Sequence, residues 1–161
     1  MTMFYYHQFA PDDLKKIRLS PHFTAYEFRC RVTNDVKISD EVVNNMELIR
    51  QRLGGVKIYI VSGYRSTTPK SQHFKGNAVD FRTVDKSLRL RDVLPVVLNV
   101  FNRVGIYCWG NKEFATIHGD IYKDKGRLFW WHTPSSGYNY LYTEDALSKF
   151  IGGTYWEDLP I

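Results

Sequence analysis

An α+β domain is predicted by three features of this sequence. Five short runs rich in β-branched and aromatic residues follow one another from residue 56 onward, and two longer segments carry apolar residues at helical spacing. No internal repeat, low-complexity tract or linker interrupts the chain, so strands grouped together with helices outside them are expected in one domain spanning residues 1–161. At 43% hydrophobic the chain has the composition for a real core, since a chain of this length buries roughly 70% of the surface it exposes when unfolded.

The elements follow in order. Thr24 and Glu27 stand at the capping-box spacing, which predicts a short helix within "SPHFTAYEFR". In "ISDEVVNNMELIRQRLGG", Ile38, Val42, Met46, Ile49 and Leu53 form one stripe, Ser39, Asp40 and Glu41 open the segment, and Gly54 and Gly55 close it. This segment predicts a helix. "VKIYIVSGYRS" alternates with Val56, Ile58 and Ile60 on one face and reads as a strand ending near Ser62 and Gly63. "TTPKSQHFKGN" has the composition of a loop, and "AVDFRTV" reads as a second strand. "RDVLPVVLNVFNRVG" has helical period through Val93, Val96, Val97, Val100 and Val104, with Asp92 as N-cap, and Pro95 is tolerable there only in the first turn. "IYCW", "FATIHGDIY" and "RLFWWH" predict three further strands with tight connections, one of them the turn "GNKE". Thr143, Glu144 and Asp145 would start a final helix, "EDALSKFIGG".

Composition narrows the function classes. A net charge of +5 and a pI near 9.2 suggest an anionic partner, yet the basic residues are scattered among acids and apolar residues. No basic stripe or module points to nucleic acid. Cys30 and Cys108 are far apart and in no metal-ligand pairing, so two reduced thiols are expected. No run reaches the roughly 20 apolar residues of a membrane span, and the first residues lack the pattern of a signal peptide. The expectation is a soluble, monomeric protein made in the cytoplasm.

Of the five histidines, His7 and His22 read as surface or satisfied residues. His73 differs, because Asp80 follows it in "SQHFKGNAVDF" with Gly76 and Ala78 between. A catalytic zinc ion takes three protein ligands and keeps one position open. A histidine in or beside a loop and a strand aspartate can supply two of them if the chain folds back, and glycine permits that turn. His118, in the extended "ATIHGDI", is the best candidate for the third.

Ser71, His73, Gly76, Ala78 and Asp80 fit the SxHxxGxAxD motif. The sequence thereby resembles the zinc D-alanyl-D-alanine carboxypeptidases and related peptidoglycan peptidases, a superfamily that includes the Hedgehog signalling domain. "LSPHFTAYEF", "SGYRS", "GIYCW" and "TIHGDIY" resemble family segments in the same order, so the likeness covers about residues 18 to 132. The resemblance implies a small antiparallel sheet carrying a zinc site with helices packed around it. It implies His73, Asp80 and His118 as zinc ligands, Arg65 facing the substrate, and Ser71 behind the ligands at the substrate site. The competing role for Arg65 is a structural ion pair at a strand end.

Many relatives carry a glutamate three residues before the third ligand, where this sequence has Ala115. The sequence resembles instead the branch that closes with His-x-Asp, which makes Asp120 the expected general base, with Glu113 and His132 as alternatives. The function implied is zinc-dependent hydrolysis of peptide bonds in peptidoglycan stem peptides, by a carboxypeptidase or an endopeptidase. A phage or prophage lysin, or a virion component, would fit a wall-degrading hydrolase without an export signal. The alternative, favoured by Ala115, is a non-catalytic zinc-containing module that binds cell-wall peptide or a protein partner.

Overall fold

The computed structural model describes residues 1–108, 115–124, 126–133, 137–141 and 161. Its elements are β1 (Met3–Tyr6), α1 (Pro11–Lys16), a 3₁₀ turn (Ala25–Phe28), β2 (Val36–Ser39), α2 (Asp40–Arg52) and β3 (Ile58–Ser62). Then come α3 (Gln72–Lys75), β4 (Ala78–Thr83), α4 (Leu90–Leu98), β5 (Arg103–Tyr107), β6 (Thr116–Asp120), β7 (Leu128–Thr133) and β8 (Gly137–Leu141). The fold is α+β, as expected. The turn expected at 110–113 and the helix expected at 144–153 lie outside the described residues.

Capping explains where the helices begin. The Glu27 carboxylate accepts from the Thr24 amide at 2.7 Å and from its hydroxyl at 3.1 Å, which opens the 3₁₀ turn. Ser39 caps α2 by accepting from the Glu41 amide at 3.1 Å, and Gly54 and Gly55 end it with φ of 79° and 83°. In α4 the cap is Arg89, not Asp92. Asp92 sits three residues later, and its carboxylate accepts from the Arg89 amide at 2.9 Å. Pro95 therefore falls past the first turn, on the exposed face of the helix where water reaches the backbone, while Leu90, Val93, Leu94 and Val97 are buried opposite.

A six-stranded sheet runs in the order β3-β4-β6-β5-β7-β8, and β1 and β2 form a separate antiparallel pair. The large sheet is antiparallel except between β5 and β7, which run parallel. One face of this sheet belongs to the core: Val79, Phe81, Val104, Ile106, Ile117 and Phe129 cluster with Val42, Met46 and Ile49 of α2 and with the buried side of α4. The other face is set by the alternate residues, and its polar side chains are the ones that matter for function. Among the described residues no helix is long and apolar enough to cross a membrane.

Candidate metal centre

Register brings two of the three ligand candidates, Asp80 and His118, together. Ser62 pairs with Asp80, Asp80 with His118, His118 with Gly105, and Gly105 with Trp130, so one row of residues crosses five strands. The neighbouring row holds Ala78, Asp120 and Arg103. His73 reaches the first row from α3.

That one-turn helix explains the motif position by position. Ser71 caps it, accepting from the Phe74 amide at 3.2 Å, and also pairs with the Thr68 hydroxyl at 2.9 Å. Ser71 thus fixes the helix that carries His73 and acts on the ring through the backbone. Gly76 ends the helix in the left-handed region at φ 76°, and a Cβ there would stand 2.9 Å from the Lys37 carbonyl. The chain can then enter β4 at Ala78 and present Asp80 on the same side as His73. His73 is accordingly helical, where the composition of the segment had predicted a loop.

The three donor atoms form a triangle. His73 Nε2 lies 3.2 Å from Asp80 Oδ1 and 3.2 Å from His118 Nδ1, and His118 Nδ1 lies 2.8 Å from Asp80 Oδ1. His73, Asp80 and His118 are only 3%, 6% and 7% exposed. Each imidazole is turned by a bond at its other nitrogen. His73 Nδ1 faces the Gly63 carbonyl at 2.7 Å, and His118 Nε2 faces Asp120 Oδ2 at 3.1 Å. With those nitrogens donating, each ring in its neutral form would present a lone pair beside the carboxylate oxygen, so three donor atoms would converge on one point. Tetrahedral zinc held at about 2.0–2.1 Å places neighbouring donors about 3.3 Å apart, close to the edges of this triangle. The residues fit the metal.

Arg65 supports the triangle from the cavity side. Its guanidinium pairs with Asp80 Oδ2, leaving Oδ1 for the histidines, while its Nε donates to the Ser62 hydroxyl at 2.8 Å. The side chain is 41% exposed and lines the cavity, so the ion pair and a face toward solvent coexist.

Asp120 occupies a different position from the one expected of a base. It is fully buried, and its Oδ1 accepts from the Tyr122 amide at 3.0 Å. Its Oδ2 meets His118 on the ring edge opposite the nitrogen that faces Asp80. Both side chains do share one face of β6, but the carboxylate lies behind the ligand. Ala115 is buried in the core. Glu113 lies outside the described residues, and His132 shares the parity of Trp130 on β7.

Sequence reasoning missed Gly63, Arg103 and Trp130. Gly63 is glycine because a Cβ would stand 2.5 Å from the Phe28 carbonyl oxygen, and Gly105 leaves room for the Trp130 indole, whose ring lies 5.2 Å from that of His118. These roles depend on long-range packing, for which a local spacing gives no signal.

Burial disfavours the charge on Asp80, but the two histidines facing it outweigh that and hold its carboxyl far below the usual carboxylate range. Burial likewise opposes charge on His118, yet the hydrogen bonds to Asp120 and Asp80 prevail and push its pKa up to about 9 from an ordinary 6.5. A raised folded-state value stabilises fully below the unfolded value and is lost as pH rises through the folded one. The metal-free chain is therefore expected to lose thermal stability between about pH 6.5 and 9. Melting temperatures measured in chelator across that window test this, and a flat profile would contradict it.

No curated protein and no solved structure matches the chain. The family model for peptidase M15 matches residues 21–114, more than half of the sequence, and so spans His73 and Asp80 but stops short of His118, which the sheet register supplies. The chain belongs to the peptidase M15 family of zinc metallopeptidases.

Proposed function

We propose that the chain hydrolyses peptide bonds in the stem peptides of bacterial peptidoglycan, as a D-alanyl-D-alanine carboxypeptidase or an endopeptidase, with zinc held by His73, Asp80 and His118. The observation that carries this reading is the donor triangle opening into a cavity of about 650 Å³ whose walls are cationic. Among the described residues, Arg65, Lys70, Lys75, Arg82 and Arg103 line it against two acids, Asp80 and Asp120, which pair with Arg65 and Arg103. Such a wall favours a peptide bearing free carboxylates, and stem peptides carry them as terminal D-alanine or as D-glutamate side chains.

Bound zinc supplies Lewis acidity toward a peptide carbonyl and lowers the pKa of water to about 7. The chain's own residues do the rest. Gly63 and Asp120 hold the two imidazoles in the tautomers that leave Nε2 of His73 and Nδ1 of His118 as donors. Arg65 pins one oxygen of Asp80, and its side chain, 41% exposed, lines the cavity in which a substrate carboxylate would be held.

With both oxygens of Asp120 engaged, its part is orientation, and the proton-accepting role passes to Glu113 or His132. Asp120→Asn is then expected to weaken zinc binding more than turnover at saturating zinc. Glu113→Gln and His132→Ala, assayed in parallel with the metal saturated, identify the base by the larger loss of kcat.

Arg65→Lys should retain one zinc per chain while lowering kcat/KM about tenfold or more, the effect of losing a charge-assisted hydrogen bond. Unchanged kinetics would leave Arg65 as a support of Asp80 alone. The reaction itself is tested by mass analysis of peptidoglycan fragments after incubation with the zinc-loaded chain. Fragments that gain one water per bond cut support the peptidase. Fragments that bind the chain but emerge intact support the binding module, which the buried Ala115 favours.

A further inference from the structure

We infer that Arg103 is a positioning residue for the metal centre, acting on His118 through Asp120. The inference rests on His118 being a zinc ligand. Arg103 and Asp120 face each other across the β5–β6 pair, and Arg103 Nε lies 3.2 Å from Asp120 Oδ2 as an ion pair. That same oxygen meets His118 Nε2 at 3.1 Å. Ligand, carboxylate and guanidinium thus form a chain of three groups on one sheet face.

The guanidinium is itself held. Its centre lies 5.2 Å from the Tyr122 ring and 5.7 Å from the Trp130 ring, and its side chain is only 19% exposed. Tyr122 is fixed in turn, since its carbonyl accepts from Asn102 Nδ2 at 2.6 Å and its amide donates to Asp120 Oδ1. Trp130 is fixed by its indole N–H, which donates to the Tyr107 hydroxyl at 3.1 Å, and by the space above Gly105.

The physical need is clear from burial. Asp120 has no exposed surface, and a carboxylate in that position requires a compensating cation. A neutral imidazole offers Asp120 one N–H and no full charge of its own, and the cationic side chain placed against the same oxygen is Arg103. Without it Asp120 Oδ2 loses one of the two groups between which it is placed, so the carboxylate can shift away from His118 Nε2–H and the ring is no longer fixed toward the donor triangle. Partners behind metal-bound histidines typically contribute about 10- to 100-fold in metal affinity.

Arg103→Met keeps an unbranched stem between the two rings and removes the charge, so it separates packing from electrostatics. Zinc affinity is measured by competition with a chromophoric chelator for the full chain, for Arg103→Met, for Asp120→Asn and for the double variant. Arg103→Met is expected to weaken zinc binding about tenfold, and the loss should vanish when Asp120 is already Asn, because the charge then has nothing to act on. Arg103→Lys, which restores a cation, should recover part of the affinity. A loss smaller than threefold, or an equal loss in the Asp120→Asn background, would overturn the role of Arg103. An unaltered chain that takes up no zinc would overturn instead the metal reading on which it rests.

Discussion

Alanine in place of either His73 or His118 should reduce zinc from one ion per chain to a trace and abolish peptide hydrolysis with it. The triangle offers three donors, and removing one leaves two, too few for a site that must also keep a position open. The two variants should not behave alike in stability. His73→Ala leaves the Gly63 carbonyl without the ring that now meets it at 2.7 Å, while His118→Ala strips the Nε2–H donor from a fully buried Asp120 that still faces Arg103. In chelator, His118→Ala is expected to lower the melting temperature more. Metal analysis of the purified variants checks the first claim, and full zinc retention in both would remove these residues from the site.

The second large effect is expected at Gly63, which touches no metal. A Cβ there would meet the Phe28 backbone, at 2.5 Å from its oxygen and 2.6 Å from its Cα, and no rotamer change can relieve a clash with main chain. The Tyr64 amide, which donates to that same Phe28 oxygen at 2.9 Å, would be displaced with it. Gly63→Ala should therefore cost about 2–3 kcal/mol of stability, as overpacking in a tight contact does. It should also weaken zinc binding, because the carbonyl that orients His73 moves. Denaturant unfolding and chelator competition measure the two effects, and a substitution that is neutral in both would mean the 3₁₀ turn yields freely at Phe28.

The sequence was most legible where the signal is local. The stripe and caps of α2, the capping box at Thr24 and the alternation of β3 depend on neighbours within a few residues, and all three appear in the fold. The SxHxxGxAxD spacing was legible for the same reason: a capped turn of helix, a left-handed glycine and a strand entry occupy ten consecutive residues. What stayed hidden needed distant partners. β1 and β2 are four residues each and stabilise one another across separations of 30 to 36 residues, so neither stands out alone. A single turn at α3 is too short to show a helical period. The parallel step from β5 to β7 is a property of the sheet and leaves no mark on either strand.

The site divides along the same line. His73 and Asp80 come from one motif, and His118 was found through the closing His-x-Asp. The arrangement behind them was not visible: residues two apart share a face of β6, but only the hydrogen bonds show that Asp120 stands behind the ring. Arg65 makes the ion pair that the sequence had set against substrate contact and still keeps 41% of its side chain exposed, so the two roles are separated by the kinetics of Arg65→Lys.

Crystals of the zinc-loaded chain measured at the zinc absorption edge test whether His73, Asp80 and His118 hold the zinc ion. One strong anomalous peak per chain is expected, within bonding distance of His73 Nε2, Asp80 Oδ1 and His118 Nδ1, with Asp120 on the far nitrogen of His118. A peak bonded to His118 Nε2 or to Asp120, or no peak between these three residues, would contradict it.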